Sequence, residues 1–252
     1  MVRRFRPLLL GLALIAAASG LSACQPSGPR VLIFGDSLTI EAKGSGRPAS
    51  ILTGYSIDWA GTKYMTSPCN GIAVAKKVTY VPDVVVINYA GNTGSFQDNC
   101  MKGEHDQALA DRYGKDVQTL INRYRNGHTK IVIVGAPARR PTLVQSNLVF
   151  AEMQAVATDS ANRVAFYDGG RLLTPDRTHI SRVATCLSPR ETGATCGTSK
   201  DPKKNYIRDA EYEHLCPTGG TIGGTCGMYS SGAVRLTLNL RDGIKAAKVA
   251  TR

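Results

Sequence analysis

Five short segments rich in apolar residues constrain the fold of this chain more than any other feature. They are Val31–Phe34, Tyr55–Ala60, Asp83–Tyr89, Lys130–Val134 and Arg163–Tyr167. Continuous runs of β-branched residues of this length, clearest in Val84-Val85-Val86-Ile87, indicate strands buried on both faces. Helical patterns follow over about 106–124, 142–158 and 231–249. Strands that alternate with helices predict an α/β fold in three layers around a parallel, five-stranded sheet.

The first 30 residues have a different character from this domain, which we place at 31–252. Arg3, Arg4 and Arg6 precede an uncharged apolar run that ends in Leu21-Ser22-Ala23-Cys24. A basic start, a short apolar run and small residues predict a secretory signal peptide over 1–23. The last four residues of this run, Leu21 to Cys24, resemble a lipobox, so we expect Cys24 to carry lipid. Residues 24–30, with two prolines, predict a short tether.

Of the seven cysteines, we expect one to carry lipid and six to form disulfides. Cys24 carries lipid, and an even set remains for an oxidising compartment: Cys69, Cys100, Cys186, Cys196, Cys216 and Cys226. Six cysteines allow about 15 pairings, and sequence proximity favours 69–100, 186–196 and 216–226. The last four lie in a polar stretch, 169–229, that we expect to form disulfide-rich loops before the last helix. No cysteine or histidine cluster has zinc spacing, so we expect no metal and no cofactor.

The chain is basic, with 31 Lys and Arg against 19 Asp and Glu and a formal net charge of +12. An exported basic protein can meet anionic lipid or cell-wall polymer, although a merely soluble basic surface explains the charge as well. We expect no nucleic-acid partner, because no nucleic-acid-binding motif is present. The sequence does not indicate an oligomeric state.

Three polar or small residues follow the predicted strands. Gly35-Asp36-Ser37-Leu38 follows the first strand, Gly61 follows the second, and Ala90-Gly91-Asn92 follows the third. Ligands of open α/β sheets bind outside the carboxyl ends of the strands. Ser37, Gly61 and Asn92 are therefore expected at one edge, in one crevice. Ser37 also has an ordinary structural explanation as a turn or helix-cap residue, and Asn92 as a turn residue beside Gly91.

Together with a late histidine, these residues resemble the four blocks of the SGNH (GDSL) hydrolase superfamily, and the resemblance covers the chain after Arg30. It implies a flavodoxin-like sheet in the order 2-1-3-4-5. It also implies that Ser37 is a nucleophile, and that the backbone amides of Ser37 and Gly61 with the side chain of Asn92 form an oxyanion hole. The third block departs from the usual Gly-x-Asn-Asp, because this chain has Ala90-Gly91-Asn92-Thr93.

Four histidines could supply the base that a serine nucleophile needs. His105 and His128 lie beside helix ends and are expected on the surface. His179 belongs to a literal Asp-x-x-His, Asp176-Arg177-Thr178-His179, but it lies far before the last helix. His214 lies in Glu211-Tyr212-Glu213-His214-Leu215-Cys216-Pro217, close to the last helix, and is our predicted base.

We expect Glu211, three residues before His214, to orient the imidazole, with Asp209 as an alternative acid. The sequence thus favours a lipid-anchored serine esterase of the cell envelope that acts on O-acyl groups of glycan or lipid. An acyltransferase with the same acyl-enzyme, or a non-catalytic envelope-binding lipoprotein, stays open at this point.

Overall fold

The computed structural model of the protein describes residues 28–92, 99–101, 103–140, 142–160, 163–187, 203–216 and 230–249. The strands are β1 Arg30–Gly35, β2 Ser56–Thr62, β3 Val84–Asn88, β4 Lys130–Gly135, β5 Val164–Asp168, β6 Val183–Thr185 and β7 Lys204–Tyr206. The helices are α1 Ser37–Ser45, α2 Pro48–Ile51, α3 Pro68–Ala75, α4 Asp106–Tyr124, α5 Leu143–Asp159 and α6 Ser231–Val249, and a 3₁₀ turn covers Asn99–Met101. The predicted signal peptide and Cys24 lie outside the described residues.

Strands β1 to β5 form one parallel sheet in the order β2-β1-β3-β4-β5. The predicted architecture and strand order are therefore confirmed. The five predicted strands agree with the observed ones to within two residues. One detail differs, because β2 extends to Thr62 and Gly61 therefore lies inside the strand.

Alternate residues of the central strands face two separate apolar clusters. Leu32, Val85 and Ile133 belong to the cluster that packs against α4 and α5. Their neighbours Ile33 and Val86 belong to the cluster that packs against α1 and α6. Strands covered on both faces have no polar face, which is why their sequences are continuous apolar runs.

Helix α6 is buried on all sides over residues 231–240. One side packs against α1, β4 and β5. The other is covered by the segment that follows β5: Arg235 donates to the carbonyl oxygens of Leu172 (3.0 Å) and Thr185, and Asn239 donates to that of Gly169 at 2.6 Å. The covering segment thus forms an additional layer on the domain.

We predicted only loops for the polar stretch 169–229, and the structure corrects this. It contains an antiparallel pair, in which Val183 pairs with Tyr206 and Thr185 with Lys204. Each strand has three residues, too few for a visible alternation of apolar and polar residues. Residues 188–202 and 217–229 of this stretch lie outside the described residues.

Candidate active site

Ser37 is the first residue of α1, and Asp36 alone separates it from β1. Asp36 caps the helix, because its Oδ1 accepts a hydrogen bond from the Leu38 amide at 3.1 Å. The first amides of a helix have no partner within the helix and are oriented to bind negative charge. The turn therefore places the Ser37 hydroxyl and an anion-binding helix end at the carboxyl edge of the sheet.

Asp36 also joins this helix to the end of β3. Its Oδ2 accepts hydrogen bonds from the Ala90 amide at 2.7 Å and from the Asn92 side chain (Nδ2) at 3.0 Å. The carboxyl group is completely buried. Burial raises the pKa of Asp36, whereas the nearby charge of Arg139 and the two backbone hydrogen bonds lower it. Asp36 thus holds the Asn92 side chain against the residue that directly precedes Ser37, the predicted nucleophile.

The carboxamide of Asn92 is held at both of its ends. Nδ2 donates to Asp36, and Oδ1 accepts from Arg139 Nη2 at 2.9 Å. The backbone is fixed as well, because the Tyr113 hydroxyl donates to the Asn92 carbonyl oxygen at 2.6 Å. An amide nitrogen carries two hydrogens, so one remains for a ligand after the bond to Asp36. Loss of the two residues usual in this block therefore leaves the asparagine firmly placed.

Gly61 of β2 lies close against β1. It pairs with Phe34 just past an irregularity in the register of the two strands. A Cβ atom at position 61 would lie 2.3 Å from Phe34 Cδ1 and 2.7 Å from the Ile33 carbonyl oxygen. Only glycine fits here without a shift of the backbone. Sheet packing alone therefore explains this glycine, and it holds β2 against the strand that leads to Ser37.

His214 contacts a glutamate that the sequence analysis did not single out. Its Nδ1 lies 2.6 Å from Glu41 Oε1, and the Leu215 amide donates to Glu41 Oε2 at 2.7 Å. The Glu41 side chain is 3% exposed and that of His214 is 32% exposed. The hydrogen bond to Glu41 raises the pKa of His214, and burial opposes this rise. The imidazole is therefore fixed through Nδ1, which leaves Nε2 for proton transfer.

Glu41 lies four residues after Ser37 on α1. Side chains at this spacing are neighbours on one helix face. A single helix thus carries both the predicted nucleophile and the carboxylate that holds the predicted base. Hydrogen bonds tie Asn92 to Asp36, directly before Ser37, and His214 to Glu41, four residues after Ser37.

The predicted orienting acids are not at the imidazole, and this part of the prediction is corrected. Glu211 is exposed. Asp209 Oδ1 instead accepts a hydrogen bond from the Glu213 amide at 3.0 Å, so it stabilises the turn before His214. The physical reason is that Glu41 already occupies Nδ1 from the opposite side. The spacing Ser37-x-x-x-Glu41 was a signal, but it could be interpreted only once the helix after Ser37 was known.

The other histidines lie apart from this cluster. His179 does pair with Asp176, Nδ1 to Oδ2 at 2.5 Å, yet its side chain is 89% exposed. His105 and His128 are exposed, as predicted. The literal Asp-x-x-His is thus a surface pair.

The cysteines agree with the predicted division as far as they are described. Cys69 and Cys100 form a disulfide that ties α3 to the 3₁₀ turn after Asn92. Cys186 and Cys216 are also disulfide-bonded. Cys196 and Cys226, their predicted partners, lie outside the described residues. Within the described part, no cluster of His, Cys, Asp and Glu could hold a metal ion, and no helix is long and apolar enough to cross a membrane.

Comparison with solved structures identifies the fold. A proposed acylhydrolase from Bacteroides fragilis NCTC 9343 matches at a TM-score of 0.52 and 15% identity, over 96% of this chain and 100% of that one. An α/β-hydrolase enzyme from the metagenome of Lake Arreo, Spain, matches at 0.51 and 12% identity, over 89% and 97%. A proposed SGNH hydrolase from Slackia heliotrinireducens gives 0.49 and 16%, over 86% and 98%.

The first two matches establish that this chain has the fold of these hydrolases, as the SGNH resemblance implied. No protein-family model matches the sequence. The comparison with curated proteins likewise found no match.

Proposed function

We propose that the protein is a serine esterase that hydrolyses carboxylic esters through an acyl-enzyme on Ser37. The observation that carries this proposal is the contact of His214 Nδ1 with Glu41, on the helix that begins at Ser37. A hydroxyl, an imidazole and a buried carboxylate that orients the imidazole are the parts that nucleophilic acyl transfer requires. The two hydrolases of the same fold support the same class of reaction.

In this mechanism His214 Nε2 takes the proton of the Ser37 hydroxyl as Oγ attacks the acyl carbon. The carbonyl oxygen becomes negatively charged and is held by the amides of Ser37 and Gly61 and by Asn92 Nδ2. The imidazolium is stabilised by the Glu41 carboxylate. The tetrahedral intermediate then expels the alcohol, which receives the proton from His214. Water attacks the acyl-enzyme with His214 again as base, and Ser37 is regenerated.

The oxyanion hole contributes most if its donors are already in place before charge develops. Asn92 meets this condition, since hydrogen bonds hold its side chain at both ends and its backbone at the carbonyl oxygen. Ser37 itself is 4% exposed.

The substrate class in this proposal is an O-acyl ester of cell-envelope glycan or lipid. It rests on the predicted signal peptide 1–23 and on lipidation at Cys24, which would keep the enzyme at the outer face of a membrane. Replacing Cys24 by serine should move the protein from the membrane fraction to the soluble fraction. A mature protein without lipid mass would contradict this location and leave the esterase chemistry untouched.

Labelling with a fluorophosphonate tests the catalytic proposal directly. The wild-type protein should form one covalent adduct at Ser37 and hydrolyse short p-nitrophenyl esters. Ser37→Ala should do neither, while Ser50→Ala, on the exposed helix α2, should behave as wild type. Absence of labelling in the folded wild-type protein would favour a non-catalytic envelope-binding role. Acyl transfer to a sugar hydroxyl in preference to water would identify an acyltransferase.

A further inference from the structure

Arg139 is a buried cation next to the candidate site. It follows β4, and it is 3% exposed. The backbone before it is fixed, because the Ala138 amide donates to Thr174 Oγ1 at 3.1 Å and the Ala138 carbonyl oxygen accepts from Arg208 at 2.6 Å. Burying a guanidinium costs free energy unless hydrogen bonds or opposite charges replace its interactions with water. Its partners therefore indicate what it does.

Those partners belong to both halves of the site. Nη2 donates to Asn92 Oδ1 at 2.9 Å, and Nη1 lies 3.6 Å from Glu213 Oε1. Glu213 directly precedes His214. One guanidinium thus contacts the predicted oxyanion donor and the residue adjoining the predicted base.

The orientation of the Asn92 carboxamide follows from these charges. In the observed orientation Oδ1 faces the guanidinium and Nδ2 faces the Asp36 carboxylate. Rotation by half a turn would place N–H groups against the Arg139 N–H groups and an oxygen against the Asp36 carboxylate. Both contacts would then be repulsive, and two buried polar partners would lose their hydrogen bonds.

We propose that Arg139 is a positioning residue: it fixes the Asn92 carboxamide so that one Nδ2 hydrogen bonds Asp36 and the other is available to the oxyanion hole. This inference rests on the proposed esterase function for its catalytic meaning. Arg139 also acts on the Asn92 carboxamide indirectly, through Asp36. The Asp36 carboxylate accepts the Asn92 hydrogen bond best when ionised. Burial raises the pKa of Asp36, and the positive charge of Arg139 opposes part of this rise.

Arg139→Met removes the donors and the charge while keeping a long side chain. Loss of one oxyanion donor typically costs ~10²–10³ in rate, so a misoriented Asn92 should lower kcat by roughly 10–100-fold with KM nearly unchanged. Arg139→Lys keeps the charge and should recover a large part of the activity. Arg235→Met is the matched control, since Arg235 is equally buried at 3% and donates to backbone carbonyl oxygens of Leu172 and Thr185.

A double-mutant cycle separates positioning from loss of packing. In the Asn92→Ala background Arg139→Met should have no further effect on kcat, because no carboxamide remains to be oriented. An equal loss of kcat in both backgrounds, or the same loss in Arg235→Met, would overturn the proposal.

Neutron diffraction of the wild-type protein supplies a readout independent of activity and of any variant. It should show the Asn92 amide hydrogens facing Asp36 and not Arg139. The reverse orientation would overturn the role of Arg139 even in an active esterase. A wild-type protein that neither hydrolyses esters nor labels at Ser37 would overturn the proposed function, and the amide orientation would still decide the role of Arg139.

Discussion

Glu41 and His214 are separated by 173 residues in the sequence, yet the Glu41 carboxylate bonds both the imidazole of His214 and the backbone amide of Leu215. The carboxylate therefore fixes the ring and the loop that carries it. Because Glu41 belongs to the helix that begins at Ser37, the loop is bound directly to the element that carries the proposed nucleophile. This relationship gives the sharpest predictions.

Replacing Glu41 by glutamine should lower kcat by ~10²–10⁴, because an amide can hold the imidazole in the wrong tautomer and does not stabilise the imidazolium. Glu211→Gln is the control and should keep wild-type activity, since Glu211 is exposed. Steady-state kinetics on a p-nitrophenyl ester, with the melting temperature of each variant, measure both effects. If Glu211→Gln loses activity and Glu41→Gln does not, Glu41 is not the orienting acid.

The pH dependence of kcat/KM should report the imidazole. The hydrogen bond to Glu41 raises the pKa of His214, so the ring stays protonated to a higher pH than a free histidine. A protonated ring cannot act as a base, and activity should therefore fall as the pH decreases through this raised pKa. In Glu41→Gln the acidic limb should move to lower pH. A limb that moves upward, or stays in place, is inconsistent with this contact.

His179 and His214, which both follow acidic residues in the sequence, should differ sharply in their contribution to kcat. His214→Ala should lower kcat by several orders of magnitude, whereas His179→Ala should leave it unchanged because that ring is 89% exposed. Both variants are compared in the same esterase assay and by circular dichroism. Inactivation by His179→Ala in a folded protein would identify His179, paired with Asp176, as the base.

Gly61→Ala should destabilise the domain, because the added Cβ would lie 2.3 Å from Phe34 Cδ1 and 2.7 Å from the Ile33 carbonyl oxygen. Overpacking of this kind costs ~1–3 kcal/mol, and the shift of β2 should also lower kcat. Urea denaturation measures the free energy of unfolding. The double variant Phe34→Leu/Gly61→Ala should recover only part of the lost stability, because the clash with the Ile33 carbonyl oxygen remains. Unchanged stability in Gly61→Ala would mean that β2 shifts without cost.

The sheet and the places of Ser37 and Asn92 beyond its strands could be predicted because their signals are local. The run Val84-Val85-Val86-Ile87 indicates a buried strand, and Ser37 and Asn92 come two and four residues after the last residues of β1 and β3. Glu41 could not be found in this way, since a glutamate within a helix is ordinarily exposed. Its partner comes from a loop far away in the sequence. Arg139 was missed for the same reason, because a buried arginine is recognised only by its partners.

The strands β6 and β7 illustrate a second limit. Val183–Thr185 pairs with Lys204–Tyr206 across 18 intervening residues. Each strand is too short to show an alternation of apolar and polar residues, and its partner is distant in the sequence. Their stability comes from this pairing and from the packing of the segment over α6. Sequence periodicity contains little information about such elements.

The burial of residues 231–240 of α6 affects the order in which the domain can fold during synthesis. This helix follows every other described element, yet its Leu236, Leu240 and Ile244 share a core with Val31 and Ile33 of the first strand. In a nascent chain this face of β1 is therefore only partly covered, by α1 and other earlier elements, until α6 has left the ribosome. Contacts this distant in sequence slow folding, and uncovered apolar faces favour aggregation. Late completion of the core would keep the chain extended and receptive to chaperones for most of its synthesis.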